Sequence, residues 1–205
     1  MRLIGLAGVV LALGFSAGLP VAAIAENKPV NIGPGVMSVQ IETGTGPVEI
    51  SRIQDNQNRL SGDWARTSRP CPNFCVQPMI PAEGVTPIGE QEVIAMLQDP
   101  AAVVVDSRVA KWYYDGTIPG AEHIPFTEVA DRLDELGCEI DFDGWICDGA
   151  KSVALFCNGP WCGQSPTAIR AMISVGYPAD KIYYYRGGMQ AWRMLGLTVI
   201  EPKDG

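Results

Sequence analysis

The sequence predicts an α/β domain, an open and largely parallel sheet flanked by helices, preceded by an N-terminal β-hairpin and an irregular extension. Residues 102–105, 153–156 and 182–185 are continuous apolar runs rich in β-branched and aromatic side chains, the character of strands buried on both faces. Stretches of helical spacing lie between them, and strands alternating with helices at this interval imply a largely parallel sheet. Ahead of them, residues 36–51 alternate around Gly44-Thr45-Gly46, which is the pattern of a hairpin.

Taken in order, the hairpin sets Val39 and Ile41 against Val48 and Ile50. Residues 53–81 are polar, carry prolines and contain Cys71-Pro72-Asn73-Phe74-Cys75, an ordered but irregular strap. Residues 90–98 place Val93, Met96 and Leu97 on one helical face, and Pro100 stops the helix. The run 102–105 then ends in Asp106. Residues 127–136 are expected to form a helix with Thr127 as its N-cap. The strand 153–156 ends at Cys157 and leads into the loop 158–164. Ser165-Pro166 offers an N-cap and a first-turn proline to a helix that buries Ile169, Met172 and Ile173 and stops at Gly176. A strand over 182–185, a helix over 188–195 and a last short strand over 198–200 complete the series.

The chain has 205 residues, 47% of them apolar and 19% charged, which is a globular profile. Fifteen Lys and Arg face 23 Asp and Glu, so at a net charge of −8 nothing attracts nucleic-acid phosphates or anionic lipid, and no nucleic-acid partner is expected. The single histidine, His123, excludes a three-histidine zinc site or an HExxH helix and reads as a packing or hydrogen-bonding residue. No metal or cofactor is expected. Residues 1–25 combine Arg2, a short apolar stretch interrupted by glycines, and Ala23-Ile24-Ala25 before Glu26, the pattern of a cleaved secretory signal. No later segment is long and apolar enough to span a membrane. The expected organisation is a signal over 1–25, an extension over 26–86 and the α/β domain over 87–202. The expected compartment is a bacterial periplasm, where thiols tend to be oxidised.

The chemistry is expected in the loop after Cys157. Ligands bind at the carboxyl ends of parallel strands, and here a cysteine occupies one, followed by a glycine-bearing loop that runs into a helix N-terminus. Loop N–H groups and the helix dipole favour a thiolate there, or a persulfide. A buried, inert cysteine is the competing reading, which a second cysteine in the same loop, Cys162, weakens.

Four ordered motifs resemble the rhodanese-like family. They are Val103-Val104-Val105-Asp106-Ser107-Arg108, then Gly116-Thr117-Ile118-Pro119-Gly120-Ala121 with Ile124-Pro125, then Cys157 with Ser165, then Gly176-Tyr177 and Arg186-Gly187-Gly188 to Trp192. The resemblance spans about residues 89–199. It implies a rhodanese-like open parallel sheet and a single sulfurtransferase domain. In it, Cys157 takes a sulfane sulfur from a small donor such as thiosulfate and hands it to cyanide or a thiol, including a periplasmic protein thiol. Cys157 and Cys162 are then the catalytic candidates. Asn158, Gly159, Trp161, Gly163, Gln164, Ser165 and Arg186 are the substrate-binding ones. Ser165 stands eight residues after Cys157, two more than the family's usual spacing, and Gln164 replaces a cation often found there. Arg186 is the candidate replacement cation, while Asp106 and Arg108 read as structural partners.

Cys157 and Cys162 also suit thiol–disulfide cycling, in which Cys162 attacks an oxidised or persulfidated Cys157. A silent binding module using the same pocket is a third reading. Six cysteines allow 15 pairings. The most local set is Cys71 with Cys75 and Cys138 with Cys147, which leaves Cys157 and Cys162 for chemistry. A four-cysteine zinc site is the alternative use of the other four.

Overall fold

The computed structural model describes residues 28–203; the expected signal over 1–25 lies outside the described residues. Strands β1 (Ser38–Thr43) and β2 (Gly46–Ser51) form the antiparallel hairpin, with Val39 opposite Ile50 and Ile41 opposite Val48. There follow β3 (Thr86–Pro87), α1 (Glu90–Gln98), β4 (Ala102–Asp106), α2 (Ala110–Tyr114), β5 (Glu122–His123), β6 (Glu139–Asp141) and β7 (Gly144–Ile146). The chain ends with β8 (Ser152–Phe156), α3 (Gln164–Ser174), β9 (Ile182–Tyr185) and α4 (Gly188–Met194).

Five strands form the central sheet in the order β3-β9-β8-β4-β5, and every pairing is parallel. β8 lies in the middle, with Ala154 registered between Val104 and Tyr183. Successive residues of a strand face opposite sides. Accordingly Val105, Val153, Leu155 and Tyr184 pack with Ile169 and Met172 of α3. Val104, Ala154, Phe156 and Tyr185 pack on the other side with Val93 of α1 and Met189 and Trp192 of α4. The hairpin docks on this second side through Ile41 and Ile50, both buried. The strands need continuous apolar runs because both faces are covered.

Three expectations over local structure are corrected. Residues 127–136 are not an α-helix but two short 3-10 turns, Val129–Asp131 and Leu133–Leu136, without a cap from Thr127. The chain leaves helical geometry at Arg132 (φ −125°, ψ 32°), yet Val129, Leu133 and Leu136 are all buried. The helical spacing of apolar residues was real, and successive tight turns deliver the same face to the core. Helix α3 begins at Gln164 with Gly163 as its N-cap, so Ser165 sits inside the first turn rather than capping it. Pro166 is tolerated there because first-turn N–H groups have no intrahelical acceptor. Residues 198–200 form no strand. Thr198 donates its N–H to Ser51 O at 3.0 Å, while Ile200 exchanges hydrogen bonds with Thr117 at 2.8 and 3.1 Å, so this tail divides its bonds between two neighbours and builds no ladder.

Candidate functional site

Strand β8 delivers Cys157 to the carboxyl edge of the sheet, and α4 holds the loop that follows. Met189 N–H donates to Cys157 O at 3.0 Å and Gln190 N–H to Asn158 O at 2.9 Å. This closeness depends on Gly188, whose φ is +52° and whose missing Cβ would collide with the Cys157 carbonyl. Gly159, at φ +155°, lies where a Cβ would meet Gln190 Cβ at 2.8 Å. Cys162 N–H returns to Gly159 O at 2.9 Å, which closes the loop into a tight turn.

The loop is anchored from below by a buried ion pair. Arg108 and Asp106 are 1% and 0% exposed, and the guanidinium donates Nε to Asp106 Oδ1 at 2.8 Å and Nη2 to Oδ2 at 2.5 Å. Nη2 also serves Gly116 O at 2.7 Å, and Nη1 reaches Asn158 Oδ1 at 3.1 Å. Asp106 further accepts from Thr117 Oγ1 at 2.7 Å and the Arg108 N–H at 3.1 Å. The end of β4 thereby fixes the loop that follows β8, and the Asn158 carboxamide oxygen serves that anchor. His123 donates Nε2 to the Arg108 carbonyl at 2.8 Å and stacks on Tyr113 at 4.2 Å.

From above, the strap covers the loop. Gln77 N–H donates to Pro160 O at 2.8 Å, Phe74 meets Trp161 edge-on with centroids 5.2 Å apart, and the Arg69 guanidinium lies 4.1 Å from the Trp161 ring. Gln190 Nε2 ties the Trp64 carbonyl to α4 at 2.9 Å. A small cavity of about 110 Å³ lies beside the loop, lined by Trp64, Arg69, Arg108, Lys111, Trp112, Asn158 and Trp161 among others, with neither Cys157 nor Cys162 in its wall. Lys111 is paired with Asp115 at 2.7 Å and Arg108 with Asp106. Among the described residues Arg69 has no carboxylate within ion-pairing distance; it donates to the Asp63 carbonyl. The cavity therefore carries one uncompensated positive charge.

The cysteines bear on two expectations. Cys71–Cys75 and Cys138–Cys147 are disulfides, as the local pairing anticipated, so those four thiolates are not available for a zinc ion. Cys157 and Cys162, which the sequence leaves for chemistry either as a sulfur carrier with an auxiliary thiol or as a cycling pair, are joined as well, with Cα atoms 6.2 Å apart and the residues 2% and 3% exposed. The turn made by Gly159 and the Cys162 N–H brings the two side chains together. The structure thus holds the site in its oxidised form.

Among the other candidates, Gly163 caps α3 beside Gln77, and Gln164 and Ser165 open the helix. The Gln164 Oε1 is buried and accepts no hydrogen bond among the described residues. Arg186 does not line the small cavity beside the loop; its Nε donates to Gln77 O at 3.0 Å, so it supports the strap. The cation at the cavity is Arg69, which sequence reasoning missed. Its position two residues before the Cys71–Cys75 knot was visible, but the contact with Trp161 is long-range and leaves no periodic trace.

Burial governs the tyrosines around the site. It pushes the Tyr184 hydroxyl up to about 12, with Arg186 and Arg170 opposing, and it raises Tyr177 and Tyr185 still further. Tyr185 also donates to Glu90 Oε1 at 2.9 Å, and the neighbouring carboxylate disfavours its ionisation.

The family model for the rhodanese-like domain matches residues 90–195. The chain is 32% identical over 114 residues to the HTH-type transcriptional regulator Rv0324 of Mycobacterium tuberculosis, a match covering 56% of this chain and 44% of that one. It therefore spans less than half the length of that relative. It is 26% identical over 128 residues to arsenate reductase 2.2 of Oryza sativa subsp. japonica, covering 60% of this chain and 93% of that one. Among solved structures, a Bacillus halodurans protein is 21% identical over 56% of this chain and 76% of that one, with a TM-score of 0.46.

Proposed function

The chain belongs to the rhodanese-like domain family, and from that premise we propose that it is an exported sulfurtransferase whose reduced Cys157 carries a sulfane sulfur. The placement of Cys157 carries this reading: it stands at the carboxyl end of the central strand, ahead of the first turn of α3, where the N–H groups of Gln164 and Ser165 have no intrahelical acceptor. Such a position stabilises negative charge on sulfur. In the forward step the Cys157 thiolate attacks the outer sulfur of thiosulfate, forming the Cys157 persulfide as the donor S–S bond breaks and sulfite leaves. In the second, a thiolate or cyanide attacks the outer persulfide sulfur and the Cys157 thiolate is regenerated. The single positive charge of Arg69 suits an anionic donor, and the small cavity beside it suits a small one. The signal pattern of residues 1–25 supports export to a periplasm.

The expected result is that Cys157→Ser abolishes thiosulfate:cyanide sulfur transfer by the reduced protein. Full activity in that variant would overturn the assignment. A second reading is favoured by the Cys157–Cys162 bond itself: the pair cycles between dithiol and disulfide. The rice relative's name, a reductase, is in line with it. It predicts that Cys162→Ser is as damaging as Cys157→Ser, whereas sulfur transfer through Cys157 alone tolerates loss of Cys162.

A further inference from the structure

Both proposed reactions need the Cys157–Cys162 bond to be opened, and the sulfurs lie where an external protein thiol has no direct approach. The two residues are 2% and 3% exposed, and the strap crosses the loop that contains them. That strap carries a disulfide of its own, Cys71–Cys75, in which Cys71 is exposed and Cys75 half-buried.

The contacts between strap and loop are concentrated around these two bonds. Phe74, the neighbour of Cys75, packs on Trp161, the neighbour of Cys162, at 5.2 Å between centroids. Gln77, two residues after Cys75, donates its N–H to Pro160, two residues before Cys162, at 2.8 Å. Arg69, two residues before Cys71, covers the same Trp161 ring at 4.1 Å. One exposed disulfide is thus held at the surface of the segment that contains a buried one. The third disulfide, Cys138–Cys147, belongs instead to the core side of α3 and makes no such contact among the described residues.

We propose that Cys71–Cys75 relays electrons from an external protein dithiol to Cys157–Cys162, an inference that rests on the reading that Cys157 acts in reduced form. The external dithiol reduces Cys71–Cys75 and is itself oxidised to a disulfide. The Cys75 thiolate then attacks Cys162 Sγ, so that a Cys75–Cys162 bond forms, the Cys157–Cys162 bond breaks and Cys157 leaves as thiolate. Cys71 next attacks Cys75 Sγ, restoring Cys71–Cys75 and releasing the Cys162 thiolate. Two electrons and two protons have passed from the external dithiol to the buried pair, and the strap disulfide is unchanged. Exchange of this kind requires only a thiolate in line with a disulfide, and the shared aromatic contact keeps the two bonds on adjoining segments.

The intermediate is directly trappable. In a Cys71→Ser/Cys157→Ser variant, Cys75 and Cys162 are left without partners, and mild oxidation with oxidised glutathione is expected to give an intramolecular Cys75–Cys162 bond in non-reducing peptide maps. Recovery of the two cysteines only as glutathione adducts, in a variant whose circular dichroism matches the parent, would overturn the relay. A second measurement uses the parent chain, oxidised, with reduced thioredoxin as the protein dithiol and timed alkylation. Removing the strap pair by Cys71→Ser/Cys75→Ser is expected to slow opening of Cys157–Cys162 by at least about tenfold. An unchanged rate would equally overturn it. Sulfur loading of chain reduced in denaturant and refolded tests the other claim separately: loading without relay sinks only the relay, and relay without loading sinks only the transferase reading.

Discussion

Replacing Arg108 by methionine tests whether the buried ion pair below the loop holds the site together. The substitution keeps the side chain's length and apolar stem but removes four hydrogen bonds, two of them to the Asp106 carboxylate. Asp106, which is 0% exposed, is left with the Thr117 hydroxyl and one backbone N–H as donors. Breaking a buried pair by removing one partner costs about 3–5 kcal/mol, because the remaining charge cannot reach water. At about 2–4 °C per kcal/mol for a chain of this size, the midpoint of thermal unfolding should fall by about 6–20 °C. The assay is thermal and guanidinium denaturation followed by tryptophan fluorescence and circular dichroism. Adding Asp106→Leu removes the stranded charge as well, so the double variant should regain at least half of the lost stability, about 1.5–2.5 kcal/mol relative to Arg108→Met alone. A cost below about 1 kcal/mol for Arg108→Met, or simple additivity of the two substitutions, would refute the argument.

Three further outcomes follow from the same geometry. Arg69→Ala should raise KM for thiosulfate about tenfold, equivalent to about 1.4 kcal/mol of binding, with kcat little changed; Arg186→Ala should shift KM less, since Arg186 does not line the cavity that holds Arg69, and the reverse order would return the cation role to Arg186. Gly188→Ala should destabilise the protein by about 2 kcal/mol or more and displace the Cys157 loop, because the position needs φ +52° and a Cβ there also falls 2.9 Å from Gly159 N; wild-type melting and loading would contradict this. For pH, tyrosines ionise near 10 when unfolded, whereas Tyr184 is held at about 12 and Tyr177 and Tyr185 are raised as well. The unfolded chain therefore releases protons first, so stability is intact below pH 10 and falls as pH rises through about 12, measurable as a dropping guanidinium midpoint. A flat midpoint between pH 9 and 12 would show that these hydroxyls are not buried in solution.

What was legible in the sequence was what burial writes locally. Ala102 to Val105 and Val153 to Phe156 had to be apolar at every position to lie in a sheet covered on both faces, so the central strands were readable, whereas their order across the sheet was not. The hairpin register was readable because Val39, Ile41, Val48 and Ile50 alternate. The stretch from Val129 to Leu136 misled because two consecutive tight turns put apolar residues on the core at the same spacing as one helix, and only the backbone break at Arg132 distinguishes them. At the site, Cys157, Cys162 and the Asp106–Arg108 pair were marked by sequence order. The Arg69–Trp161 and Gln77–Pro160 contacts were not, since they depend on how an irregular strap is laid across the loop.

The central claim is that Cys157 carries sulfur, and intact-protein mass spectrometry with peptide mapping after reduction and exposure to thiosulfate tests it most directly. The account predicts a gain of about 32 Da, localised to the peptide containing Cys157 and reversed by cyanide. A reduced protein that takes up no sulfur and instead reforms the Cys157–Cys162 disulfide would contradict it.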